Sequence, residues 1–180
     1  MAKDLDGVSR AVSHALRHEP WLYELELDDL GWAPVETLLG ALRSERAEWS
    51  SLNEADLTEM INRSEKKRHE MRDGRIRALY GHSTPQRLLK ESAEPPAILY
   101  HGTSPCSAEL INSDGLIPMS RQYVHLSVDE ATAAQVGRRK ANAPIILQVD
   151  AARAHADGIT FYRGNELVWL ADFVPPRFIS

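Results

Sequence analysis

Arg17 and His18 stand side by side where a helical pattern ends, and together they have the donors of an anion site. A planar guanidinium offers two parallel N–H groups to two oxygens, and an imidazole can donate to a third. Cationic side chains at a helix C-terminus also complement the helix dipole, so the pair alone leaves both readings open. Lys66-Lys67-Arg68 and Arg77 add cations on either side of an Asp-Gly dipeptide. Gly81-His82-Ser83 follows, a flexible backbone with two donors suited to a nucleotide or phosphate. His101-Gly102-Thr103 closes a strand-like run, where glycine lets a ligand's polar edge approach the backbone between two hydrogen-bonding neighbours. A buried, satisfied histidine is the competing reading there. His125 and Ser127 repeat the strand-end pattern, and Arg139 follows Val136-Gly137 at the close of another helical stretch. That arginine either caps a dipole or points into a cleft.

Several other chemistries lack their residues. The chain has no G-x-G-x-x-G or P-loop motif and no G-x-S-x-G elbow. His14 and His18 share a helix face at i, i+4 spacing but have no evident third ligand, so no metal site is expected. The single Cys106 cannot form an internal disulfide. No stretch reaches transmembrane length and the start of the chain is too polar for a signal peptide, so a cytoplasmic protein without membrane contact is expected.

The net charge of −5 is unevenly spread. Residues 61–91 hold nine Lys/Arg against four Asp/Glu, while residues 1–60 hold five against thirteen. A basic island in an acidic chain permits local phosphate binding without indiscriminate attraction to polyanions. A solvated hairpin with scattered charge gives the same composition.

These groups need elements to position them. Val8, Val12, Ala15 and Leu16 are spaced for one helix face, and Pro20 marks that helix's exit. A second helix begins near Pro34 and carries Val35, Leu38, Leu39 and Leu42 on one face. A third, with Leu57, Met60 and Ile61, follows Ser51, which with Glu54 has the spacing of a capping box. Asp73-Gly74 is a strong hairpin signal. Three helices and a basic hairpin resemble a winged helix. Residues 84–96, ending in Pro95-Pro96, read as a linker. Beyond it, strand-like runs at 97–101, 123–127, 144–149 and 167–174 alternate with helical stretches at 106–113 and 129–137. An α+β chain with a mostly β second half is expected.

Taken in order, these motifs resemble the NAD-dependent RNA 2′-phosphotransferase family. The similarity runs from Ser13-His14-Ala15-Leu16-Arg17-His18 through Lys66-Lys67-Arg68, Ile76-Arg77-Ala78 and Gly81-His82-Ser83. It continues through Tyr100-His101-Gly102-Thr103, Val124-His125-Leu126-Ser127, Val136-Gly137 and Arg139, and ends with Phe161-Tyr162, Val168-Trp169-Leu170 and Val174-Pro175-Pro176. The resemblance implies a winged-helix-like RNA lobe over 1–91 and an ADP-ribosyltransferase-like lobe over 92–180, with NAD as co-substrate. It implies catalytic roles for Arg17, His18, Arg68 and Arg139. Contacts to the cofactor would come from His101, Gly102, Thr103, His125 and Ser127, and contacts to RNA from Lys67, Arg77, His82 and Ser83. The implied partner is 2′-phosphorylated RNA, spliced tRNA being one such RNA, and the implied enzyme is a monomer.

The implied reaction passes an internal 2′-phosphate to the ADP-ribose of NAD in two steps, releasing nicotinamide, 2′-OH RNA and ADP-ribose 1″,2″-cyclic phosphate. The alternative is an ADP-ribosyltransferase that caps terminal phosphates of RNA or DNA and stops after the first step. The chain departs from the family pattern at His69, where an aromatic is usual, and at Leu79-Tyr80, where Asn-Gln is usual. Tyr123 and Lys140-Ala141 are further departures. Where many ADP-ribosyltransferases that modify proteins carry a glutamate on a late strand, this sequence has an apolar position near Val168.

Overall fold

A computed structural model describes residues 3–80, 91–119 and 121–180. The chain divides into two compact units, Met1–Gln86 and Arg87–Ser180.

The first unit opens on α1 (Leu5–Arg17), whose start is capped by the Asp4 side chain accepting from the Gly7 N–H at 2.9 Å. Val8, Val12, Ala15 and Leu16 are fully buried, as their spacing predicts. The helix stops at His18, and Pro20–Tyr23 forms a short 3₁₀ turn. Strand β1 (Ala33–Pro34) runs directly into α2 (Val35–Glu45), which buries Val35, Leu38, Leu39 and Leu42. The third helix, α3 (Glu54–Arg63), corrects one expectation. Its capping box is Asn53–Asp56, with the Asp56 N–H donating to Asn53 at 3.2 Å and the Asn53 N–H to Asp56 at 2.8 Å. Leu52 is buried just ahead of the box, so Ser51 falls in the preceding turn.

Strands β2 (His69–Arg72) and β3 (Arg75–Ala78) form the expected hairpin. Asp73 and Gly74 both take positive φ, 53° and 72°, which a two-residue type I′ turn requires. The strand order is β1-β3-β2, all antiparallel. His69, Ile76 and Ala78 are buried, while Glu70 and Arg77 pair directly across the hairpin.

The second unit is a six-stranded antiparallel sheet ordered β4-β8-β9-β6-β5-β7. Its strands are β4 (Glu91–Ser92), β5 (Ile98–Thr103), β6 (Val124–Ser127), β7 (Ile145–Asp150), β8 (Phe161–Arg163) and β9 (Val168–Ala171). The helices are α4 (Pro105–Asp114), α5 (Glu130–Arg138) and α6 (Ala151–Ala156). Part of the expected linker is therefore strand, since Glu91 pairs with Arg163 and Ser92 with Tyr162. One face of the sheet carries the core, centred on Leu99, Val124, Leu126, Val149, Phe161 and Trp169. At the outer edge of β7, Gln148 and Ser180 exchange two backbone hydrogen bonds of 2.9 Å. No helix among the described residues is long and apolar enough to cross a membrane.

Candidate functional site

In the first unit, the end of α1 and the start of β2 bring cations around a buried imidazole. His69 is 4% exposed, and one of its ring nitrogens is 3.1 Å from the Ser13 hydroxyl. Burial, with the charges of Arg17 and Arg68 added to it, pushes the imidazole down to about 4. Two guanidinium groups therefore act on one neutral ring, which cannot neutralise either of them.

The Arg17 guanidinium is held in an unusual way. Its Nε and Nη2 are shut off from solvent and have no hydrogen-bond partner among the described residues. Its carbon lies 5.1 Å from the centre of the Tyr80 ring, and the Lys66 ammonium lies 5.2 Å from the same centre. None of this unit's ion pairs among the described residues uses Arg17, Lys66 or Arg68. His18 is the half-buried C-cap of α1, its backbone N–H donating to the His14 carbonyl at 3.1 Å. His14 uses both ring nitrogens, at 2.9 Å from the Tyr23 hydroxyl and 2.8 Å from Glu19, which suits a structural role.

Arg77 sits elsewhere. It binds Glu70 at 2.5 Å and lies 4.6 Å over the Trp32 ring, on the hairpin face opposite His69. Arg75 likewise pairs with Asp28 at 3.3 Å. Lys67 is exposed in the segment between α3 and β2. His82 and Ser83 lie outside the described residues. Arg68 also lines a groove of about 440 Å³ with Lys3, Asp4, Asp6, Ser9 and Arg63. Arg17 and His69 do not line that groove, and its mixed charge is a poor match to an anion.

The second unit holds the remaining residues singled out from sequence. His101, Thr103, His125 and Ser127 are all buried polar side chains on the neighbouring strands β5 and β6. His101 Nδ1 is 2.9 Å from the His125 carbonyl. A carbonyl can only accept, so Nδ1 carries the proton of this bond. Tyr100 pairs with Ser127, and Ser127 in turn pairs with Val168, so the position beside Ser127 is apolar. Glu166 is exposed in the turn before β9. Arg139 is the half-buried C-cap of α5, and the Lys140 ammonium donates to the Gly102 carbonyl at 3.3 Å.

Gly102 has a structural reason that its motif did not reveal. A Cβ there would lie 1.8 Å from the Ala133 carbonyl oxygen and 3.0 Å from the Gly137 nitrogen. Missing side-chain bulk lets α5 cross β5 in backbone contact.

Sequence reasoning noted His69 only as a departure from the family pattern and gave Tyr80 no partner. A histidine following a cation cluster at the start of a strand was the available signal for the first. For the second, no local pattern indicates which cations a ring will collect.

One outcome can be measured directly. His69 is expected to stay neutral down to about pH 4, followed by the ring's NMR shifts. Its ordinary value is near 6.5, so the unfolded chain binds the extra proton between about pH 6.5 and 4. Stability contributed by the neutral ring is present above that window and lost as pH falls through it. A titration midpoint near 6.5 in the folded protein would remove the burial and the two arginines as causes.

Comparison with known proteins covers nearly the whole chain. The family model described as RNA 2′-phosphotransferase, Tpt1 / KptA family, matches residues 3–173. A probable RNA 2′-phosphotransferase of Bacillus thuringiensis subsp. konkukian is 56% identical over 174 residues, covering 97% of this chain and 94% of its own. Its counterpart in Acetivibrio thermocellus is 50% identical, with 98% and 96% covered. That of Pseudomonas paraeruginosa is 44% identical, with 98% and 97% covered. The chain belongs to the RNA 2′-phosphotransferase family.

Proposed function

We propose that this protein transfers an internal RNA 2′-phosphate to the ADP-ribose portion of NAD, in two steps. The observation that carries the reading is the cation group around His69. Arg17 has two buried donors without partners among the described residues, and neither it nor Arg68 is neutralised by a described carboxylate. Such a pair matches a phosphate dianion.

In the first step a 2′-phosphate oxygen attacks the anomeric carbon bearing nicotinamide, and nicotinamide leaves with the bonding electrons. The nucleophile is already ionised near neutral pH, so no carboxylate base is needed. The apolar Val168 beside Ser127 is compatible with that. In the second step the neighbouring ribose hydroxyl attacks phosphorus, and the RNA 2′-oxygen departs with a proton. The products are 2′-OH RNA and ADP-ribose 1″,2″-cyclic phosphate. Arg17, Arg68 and Arg139 hold the phosphoryl oxygens as charge develops, and His18 donates to the phosphate or the departing oxygen. In this reading the first unit is a winged-helix-like RNA lobe and the second an ADP-ribosyltransferase-like lobe. His101, Thr103, His125 and Ser127 supply buried hydrogen-bonding groups suited to ribose hydroxyls and an amide, so the residues present fit the dinucleotide.

The test is incubation with NAD and a short oligonucleotide carrying one internal 2′-phosphate, with both products weighed by mass spectrometry. The reading expects free nicotinamide, a 2′-OH oligonucleotide and the cyclic phosphate. An oligonucleotide that keeps ADP-ribose and never yields the 2′-OH form would point instead to a capping enzyme. Substrates differing only in base sequence should react alike at fixed salt, because phosphate contacts carry little sequence information.

A further inference from the structure

Cations in the first unit are held in two different ways. Arg72, Arg75 and Arg77 each have a carboxylate, from Asp73, Asp28 and Glu70. Arg17 and Lys66 have none among the described residues and instead share one aromatic ring, Tyr80, at 5.1 and 5.2 Å. The difference matters for binding an anion. A carboxylate cancels the charge of its partner and occupies its N–H donors. A ring face attracts the cation through its quadrupole, consumes no in-plane donor and leaves the net charge intact. Two like charges gathered without a counter-ion repel each other, and the ring offsets part of that repulsion. Nε and Nη2 of Arg17, the edge that grips two oxygens, have no partner among the described residues.

We propose that Tyr80 is a positioning residue, whose ring gathers Arg17 and Lys66 into an un-neutralised pair poised for the RNA 2′-phosphate. This rests on the phosphotransferase reading above. The ring, not the hydroxyl, is the group this role requires, since a cation is attracted by the aromatic face. Tyr80 is 38% exposed, so its replacement leaves the buried core of the unit untouched.

The experiment compares two oligonucleotides, identical except that one carries an internal 2′-phosphate and the other a 2′-OH. Binding of each is measured by calorimetry without NAD, for wild type, Tyr80→Leu and Tyr80→Phe. Wild type is expected to prefer the phosphorylated strand. Tyr80→Leu should reduce that preference by about five- to thirtyfold, the size of two exposed cation–π contacts, whereas Tyr80→Phe should retain it. Equal melting temperatures of the three proteins confirm that the comparison reports the site.

Three results overturn the proposal. If Tyr80→Leu keeps the wild-type preference, the ring does not position the cations, and the phosphotransferase reading survives. If Tyr80→Phe loses as much as Tyr80→Leu, the hydroxyl is the active part. If wild type shows no preference for the 2′-phosphate at all, the phosphate site itself is refuted and the role of Tyr80 with it.

Discussion

Replacing Arg17 with alanine is expected to slow conversion of a 2′-phosphorylated oligonucleotide by about 10²–10³ while leaving the protein at least nearly as stable as wild type. The two halves of this result come from the same observation. Nε and Nη2 of Arg17 are desolvated in the folded chain, and no hydrogen bond from the described residues compensates them. A buried donor left unmade costs about 1–3 kcal/mol, so deleting the guanidinium removes a penalty along with the Tyr80 contact. Those same donors are worth most when charge develops on phosphoryl oxygens, because they are already oriented and dry. Loss of rate with no loss of melting temperature is therefore the signature of a group held for a ligand. Removing the Arg17 charge should also let the His69 imidazole titrate higher, with burial and Arg68 still holding it down. The measurement is single-turnover kinetics beside a thermal melt. Turnover within a few-fold of wild type would take Arg17 out of the reaction.

The second large effect concerns Gly102→Ala. The added methyl would meet the Ala133 carbonyl oxygen at 1.8 Å, and that oxygen belongs to the backbone of α5. No rotamer relieves a backbone clash, so the helix must lift from the strand. Gly137 approaches Gly102 from the same helix, which makes the close crossing a property of both elements. Overpacking typically costs about 1–3 kcal/mol, and a rigid collision lies at or above the top of that range. For a chain of this size the thermal midpoint should fall by about 6–12 °C, or the variant should fail to accumulate as folded protein. A variant that melts with wild type yet loses activity would return Gly102 to the role its motif first suggested, admitting a ligand to the backbone.

Helices were the most legible part of the sequence because their cause is local. Val8, Val12, Ala15 and Leu16 are enough to fix which side of α1 faces inward. The Asp73-Gly74 turn went further than it was used. A two-residue turn fixes the register, so Arg72 opposes Arg75 and Glu70 opposes Arg77. The Glu70–Arg77 pair, and with it the placement of Arg77 away from His69, was thus already implied by the spacing. Other features depend on residues distant in sequence. Strand β4 is two residues long and exists only because β8 pairs with it, so Glu91-Ser92 had no pattern of its own. The tight crossing at Gly102 depends on Ala133 and Gly137, more than thirty residues away. The Arg17, His69 and Tyr80 cluster joins α1 to both ends of the hairpin, and charge spacing along the chain could show only its basic members.

The pairing of Gln148 with Ser180 bears on how copies of this protein keep apart. Strand β7 lies at the end of the sheet, and an outermost strand exposes unused N–H and C=O groups that can recruit another chain. Here Val149 bridges to Ile179 and Gln148 to Ser180, so the last two residues act as a selvedge along that border. At the opposite border the described residues of β4 are two exposed ones, one of them the charged Glu91. Removing Ile179 and Ser180 should leave the reacting groups in place yet uncover β7. The resulting fault would be self-association that grows with protein concentration.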